Sequence, residues 1–123
     1  MKVGYVQIFV SDFGRAVEFY EDCVGLSVTF RDDDLGWAEM ATEGATLALR
    51  RAGAELPEAQ KQVGRPSGIT LLVPDLEAVY RSLSDKAVRF SRPPTREPWG
   101  GLMTSFFDPD GNEISLLEEM PQG

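Results

Sequence analysis

Histidine is absent from this 123-residue chain, and cysteine occurs once, at Cys23. The first absence excludes an imidazole metal site and any Ser-His hydrolase machinery. The second excludes an intrachain disulfide and a thiolate metal cluster. Cys23 falls inside a helical pattern with no imidazole to activate it, so it reads as a packed thiol rather than a nucleophile. Basic residues are scarce too: Lys and Arg number 12 against 20 Asp and Glu, a formal net charge of −8. Such a chain repels phosphate backbones and anionic lipid alike, so neither nucleic acid nor a membrane is expected as a partner. No apolar run approaches the ~20 residues that span a bilayer, and no basic stretch leads into an apolar one at the start, so a cytoplasmic location is expected. Neither a Walker loop nor G-x-G-x-x-G is present, which leaves phosphate-cradling chemistry without support.

What the chain does contain is a repeat. Tyr5-Val6-Gln7-Ile8-Phe9-Val10-Ser11-Asp12 leads into Phe13, Val17 and Tyr20, and Gly68-Ile69-Thr70-Leu71-Leu72-Val73-Pro74-Asp75 leads into Leu76, Tyr80 and Leu83, at a constant offset of 63 positions. Each copy alternates with period two, meets an Asp suited to cap a helix, and continues with apolar residues at helical spacing. In the first copy Ser11 or Asp12 is the cap, Val17, Tyr20 and Val24 form the buried stripe, and Gly25 ends the helix. The length suits one domain over 1–123, with two modules at about 1–51 and 67–119 and a polar, Gly- and Pro-containing connector at 52–66.

Three further strands complete the first module, at about Ser27 to Arg31, Trp37 to Thr42 and Ala45 to Arg50. Asp32-Asp33-Asp34-Leu35-Gly36 and Glu43-Gly44 supply the turns between them. The three aspartates lack the glycine and closing glutamate of a calcium loop and read as a solvated turn. In the second module a strand is expected near Ala87 to Phe90, and Ser91 to Gly101, with Pro93, Pro94 and Pro98, is irregular for most of its length. A hairpin of Met103 to Phe107 and Glu113 to Glu118 closes over Asp108-Pro109-Asp110-Gly111-Asn112, and Met120 to Gly123 forms a loose tail.

This layout, with Phe107-Asp108-Pro109-Asp110-Gly111-Asn112-Glu113-Ile114-Ser115-Leu116-Leu117-Glu118 near the end and Val10-Ser11-Asp12 and Phe19-Tyr20 near the start, resembles the vicinal oxygen chelate superfamily of glyoxalases, bleomycin-resistance proteins and extradiol dioxygenases. The resemblance covers nearly the whole chain. It implies an α+β fold of two tandem βαβββ modules forming a curved mixed β-sheet, with helices on the outer face, a ligand cavity on the concave side, and a homodimer. Members that hold a metal draw ligands from the first and last strand of each module, and the matching positions here are Tyr5, Ala48, Gly68 and Ser115. None is a usual metal ligand, so neither a metal nor another cofactor is expected. The nearest functional analogy is a metal-independent protein that holds a partly aromatic small molecule in the concave cavity. The competing reading is a lyase, isomerase or dioxygenase-type enzyme with an atypical site, for which Glu113, Glu39 and Tyr5 are the candidate acid/base groups.

Period-two alternation places Tyr5, Gln7, Phe9, Thr46, Ala48, Arg50, Gly68, Thr70, Leu72, Glu113, Ser115 and Leu117 on the face away from the helices. Tyr5 and Gln7 offer hydrogen bonds to a ligand or to a strand edge. Arg50 offers a cation to an acidic ligand, or else pairs with Glu113 or Glu39. Ala48 and Gly68 leave room where relatives carry larger groups. Trp37 and Trp99 offer stacking surfaces, Trp37 having the alternative of packing within the sheet. Trp99 is the preferred of the two, because its Pro- and Gly-rich loop has little other reason to carry an indole.

Overall fold

The computed structural model describes residues 1–120, so the expected loose tail lies outside the described residues from Pro121 onward. The chain divides into two units, Met1–Arg65 together with Pro109–Asn112, and Pro66–Asp108 together with the segment from Glu113 onward.

The first unit runs β1 (Tyr5–Val10), α1 (Phe13–Glu18), a π-helical turn (Phe19–Cys23), β2 (Val28–Asp32), β3 (Trp37–Met40), β4 (Thr46–Arg51) and a short α2 (Pro57–Gln60). The sheet order is β1-β4-β3-β2, parallel between β1 and β4 and antiparallel elsewhere. Asp12, not Ser11, caps α1, its carboxylate accepting from the Arg15 N–H at 3.2 Å. The helix expected to run regularly to Val24 widens instead: Val24 N–H donates to Phe19 C=O and Leu26 N–H to Tyr20 C=O. The wider turn keeps Tyr20 fully buried and leaves Val24 only half-buried, and Gly25 closes it with φ of 88°. Ile8 and Val10 of β1, Leu47 and Leu49 of β4, and Ala38 and Met40 of β3 bury one sheet face together with Phe13, Ala16, Val17 and Tyr20 of the helical segment.

Between β2 and β3, Asp32 accepts from the Leu35 N–H at 3.1 Å and Asp33 pairs with Arg31 at 2.6 Å. The Arg51 guanidinium donates to the carbonyl oxygens of Asp33 and Asp34 at 3.0 and 2.8 Å, so the aspartate run is a turn held by an arginine.

The tip of the Asp108–Asn112 turn belongs to this unit and does more than reverse the chain. Buried Asn112 donates from Nδ2 to Phe9 C=O at 2.9 Å and accepts at Oδ1 from Gly64 N–H at 2.7 Å. The Asp110 carboxylate accepts from the Ser11 N–H at 2.9 Å and from the Ser11 hydroxyl. Ser11, a possible cap by sequence, is therefore committed to Asp110.

The second unit runs β5 (Pro66–Val73), α3 (Leu76–Asp85), β6 (Arg89–Phe90), β7 (Thr95–Arg96), β8 (Leu102–Phe107) and β9 (Glu113–Glu118). Its order is β5-β9-β8-β6, with β7 also on β8. β5 and β9 are parallel, as β1 and β4 are, and β7 is a two-residue strand within the proline-rich stretch. Asp75 caps α3 through the Ala78 N–H at 3.1 Å, and Glu118 accepts from the Leu76 N–H at 3.2 Å. Leu76 and Leu83 of α3 are buried, as are Phe106, Ile114 and Leu116 of the sheet, and Phe90 meets Tyr80 edge-on at 4.6 Å. Among the described residues no helix is long and apolar enough to cross a membrane.

Two stability predictions follow from these ends and latches. At the end of α3, Ala87 takes φ of 62°, the left-handed conformation that Gly25 takes without cost after the first helical segment. Ala87→Gly should stabilise by about 0.5–1 kcal/mol, read as a raised urea midpoint at constant slope. Asn112→Ala removes both partners of the Phe9 C=O and Gly64 N–H bonds and should cost about 2–3 kcal/mol. A loss under about 0.5 kcal/mol would show that the latch is not structural.

Candidate functional site

Register assembles the open face of the first sheet. Tyr5 aligns with Thr46, Gln7 with Ala48 and Phe9 with Arg50. Glu39 then aligns with Ala48 and Trp37 with Arg50, and on the far side Phe30 aligns with Glu39 and Asp32 with Trp37. Aligned residues share a face. One row is thus Gln7, Ala48, Glu39 and Phe30, and the next is Phe9, Arg50, Trp37 and Asp32. The sequence-derived candidates Tyr5, Gln7, Phe9, Trp37, Glu39, Ala48 and Arg50 come together on this one face.

Ala48 does not open a space for a ligand body as expected, since it is fully buried. The rings of Tyr5 on β1 and Trp37 on β3 meet edge-on at 5.7 Å across β4, the strand that carries Ala48. A methyl group at that position lets the two rings approach; a larger side chain would hold them apart. Trp37 Nε1 donates to Glu39 Oε2 at 2.9 Å, which fixes the indole and engages one oxygen of the carboxylate. Tyr5 is 52% and Phe30 50% exposed, so both residues remain accessible. Phe30 was missed because the alternation was followed along the first and last strands, with Trp37 and Glu39 considered singly; the alternation of Val28–Asp32 carries the signal.

Arg50 departs from its common fate. It forms no ion pair among the described residues, Glu39 is bonded to Trp37 instead, and the Arg50 Nε is buried without a hydrogen-bond partner. Its neighbour Arg51, on the opposite face, has its terminal nitrogens occupied by the β2–β3 turn.

The open face of the second sheet is chemically different. Ser115 aligns with Thr70 and Ser105, Leu117 with Leu72 and Met103, and Glu113 with Phe107. Ser105 and Ser115 share a hydrogen bond at 3.1 Å, and the Arg89 guanidinium lies 5.1 Å over the Phe107 ring. Ser105, Met103 and Phe107 were also missed, for the same reason as Phe30. Gly68 sits in an irregularity of β5 with φ of 75°, where the Ser67 hydroxyl donates to Glu113 C=O and accepts from Ile69 N–H. A Cβ there would meet nothing within 4 Å, so the backbone, not a lack of room, accounts for the glycine.

Trp99 stands in a turn closed by Glu97 N–H to Gly101 C=O at 2.7 Å and Gly100 N–H to Glu97 C=O at 2.9 Å. Arg96 donates to Gly100 C=O, and Arg92 pairs with Glu97. A Cβ on Gly101 would overlap the six-membered ring of Trp99, so the indole rests on its own loop while remaining 59% exposed.

The four positions to which the resemblance assigns metal ligands do not fit a divalent cation. Ala48 and Gly68 offer no donor side chain, the Ser115 hydroxyl is engaged with Ser105, and the Tyr5 phenol alone cannot replace a hydration shell. Among the described residues no three His, Cys, Asp or Glu side chains gather to hold a metal ion.

Gly68→Ala should lower stability by about 1 kcal/mol through backbone strain although the methyl has space, a result that denaturant titration reads directly. Gly101→Ala in a Trp37→Phe background should lift the Trp99 ring from its loop and shift its emission to longer wavelength. An unchanged spectrum would show that Gly101 does not seat the indole.

Comparison with known proteins agrees with this architecture. The profile of the Glyoxalase/Bleomycin resistance protein/Dioxygenase superfamily matches residues 2–116. The protein YraH of Bacillus subtilis (strain 168) is 30% identical over 127 residues, covering 96% of this chain and 98% of YraH. A member of the same superfamily from Sphaerobacter thermophilus DSM 20745 superposes with a TM-score of 0.86 at 30% identity, covering 97% of this chain and 98% of that one. TnmS3, an antibiotic binding protein from Streptomyces sp. CB03234, superposes with a TM-score of 0.78 at 28% identity, covering 98% of this chain and 97% of that one. By profile, identity and topology together, the chain belongs to the Glyoxalase/Bleomycin resistance protein/Dioxygenase superfamily.

Proposed function

We propose that this protein holds a small, partly aromatic molecule on the open face of its first sheet, without a metal ion and without transforming the ligand. The observation that carries the reading is the placement of Tyr5, Phe9, Phe30 and Trp37 on a single sheet face, with Tyr5 and Phe30 about half exposed. Flat rings around a few fixed polar groups are the make-up of a small-molecule site. Each ring stacked on a ligand contributes roughly 0.5–1.5 kcal/mol beyond the area it buries. The likeness to TnmS3, an antibiotic binding protein, supports the same reading by relatedness. Glu39, the glutamate of this face, is engaged in fixing the Trp37 indole, which favours holding over proton transfer. Trp99, 59% exposed in the second unit, offers a separate stacking surface in this proposal. A homodimer is part of it as well, and sedimentation velocity reads that state directly.

The chain has two tryptophans, so ligand binding can be followed without a label. With Trp99→Phe leaving Trp37 as the sole indole, titration with a panel of aromatic antibiotics should give saturable quenching for at least one compound. Trp37→Ala, followed by calorimetry with that compound, should weaken binding about tenfold, close to 1.4 kcal/mol. Absence of quenching by every compound up to millimolar concentration would refute the proposal.

A further inference from the structure

We infer that Arg50 recognises an acid group and that the molecule held on this face is an aromatic monocarboxylate. This rests on the reading of the face as an aromatic ligand site and names the polar group which that ligand must carry.

Arg50 has a buried Nε with no hydrogen-bond partner and no ion pair among the described residues. A buried donor on a charged group is costly to leave unmade, so an unbonded one calls for an acceptor. The other arginines of this unit's β-strands are employed: Arg31 binds Asp33, and Arg51 binds two carbonyl oxygens of the same turn. Arg50 alternates to the other face, in a row with Phe9 and Trp37, whose side chains bring no acceptor, and with Asp32 beyond Trp37, whose carboxylate accepts from the Leu35 N–H. The acceptor that could have neutralised it, Glu39, is held by the Trp37 indole two residues along the same strand.

An arginine presents Nε–H and one terminal N–H side by side, and a carboxylate accepts both in two parallel bonds. A free Nε therefore points to a planar, two-oxygen acceptor rather than a single carbonyl. Aromatic side chains flank the guanidinium in its row, which places a ring of the ligand next to its acid group. One cation, with Glu39 on the adjacent row and a chain of net charge −8, offers a poor setting for a doubly charged group. A single negative charge matches what Arg50 alone can neutralise.

The test is calorimetric titration of the full chain with naphthoate, its methyl ester and naphthyl phosphate, in wild type, Arg50→Met and Arg50→Lys. Wild type should bind the acid about tenfold more tightly than the ester, and the phosphate less tightly than the acid. Arg50→Met should lose the preference while ester affinity stays within about twofold, and Arg50→Lys, which keeps the charge but not the fork, should retain only part of it. Equal wild-type affinity for acid and ester overturns the inference alone, as does an acid preference that survives in Arg50→Met or a tighter phosphate. Failure of both acid and ester to bind wild type, with the antibiotic panel also silent, overturns the aromatic-site reading beneath it. If Arg50→Met does not fold, the wild-type preference and the Arg50→Lys comparison still decide the matter.

Discussion

Strand parity is the constraint on which the rest of this structure depends. In each unit the first strand pairs in parallel with the last, β1 with β4 and β5 with β9, so alternation on both is locked to one register. A slip of one residue in β1 would bring Tyr5, Gln7 and Phe9 against the helix and expose Ile8 and Val10, which are almost wholly buried. The apolar face thus fixes the register, and the register delivers the opposite face as a set. Burying the reverse side thus decides which residues stand together on the open face.

Arg50 and Arg51 make the same point at the scale of two residues. They are adjacent and identical, yet one is consumed by the carbonyl oxygens of a turn and the other carries a buried nitrogen with no partner. Nothing in composition separates them; strand alternation does. The indole–carboxylate bond of Trp37 and Glu39 works in the same direction, because residues two apart on a strand lie side by side. The Trp37 indole thus engages one oxygen of Glu39, which makes no ion pair with Arg50.

Much of this was legible in the sequence because it rests on local rules. The repeat at 63 positions, both aspartate caps, the parity of the first and last strands and the terminal hairpin all follow from spacing and turn chemistry. What was not legible depends on contacts far apart in the chain. Asn112 looks like a turn residue, yet it bridges Phe9 and Gly64, over a hundred and nearly fifty positions away. Gly68 looks like a gap for a ligand, yet its backbone conformation explains it, and Ala48 looks like open space, yet two rings meet across its strand. Small side chains report on their surroundings, and a sequence does not show whether the reason is room, strain or a neighbour.

The two units share a frame and differ in surface. At matching positions the first offers Tyr5 and Ala48 and the second Gly68 and Ser115. Around them the first gathers aromatic rings and an unpartnered guanidinium, and the second gathers hydroxyls, aliphatic side chains and an arginine placed over Phe107. Both copies have what folding requires, namely the apolar reverse side and the helix cap, because each must bury its own sheet. The outward residues carry no such duty. They can differ between the copies, and packing of the reverse side does not require a face that gathers four rings and leaves an arginine nitrogen unbonded. A ligand held on the first sheet, as proposed above, would give both features one reason, and the fold as a whole would not.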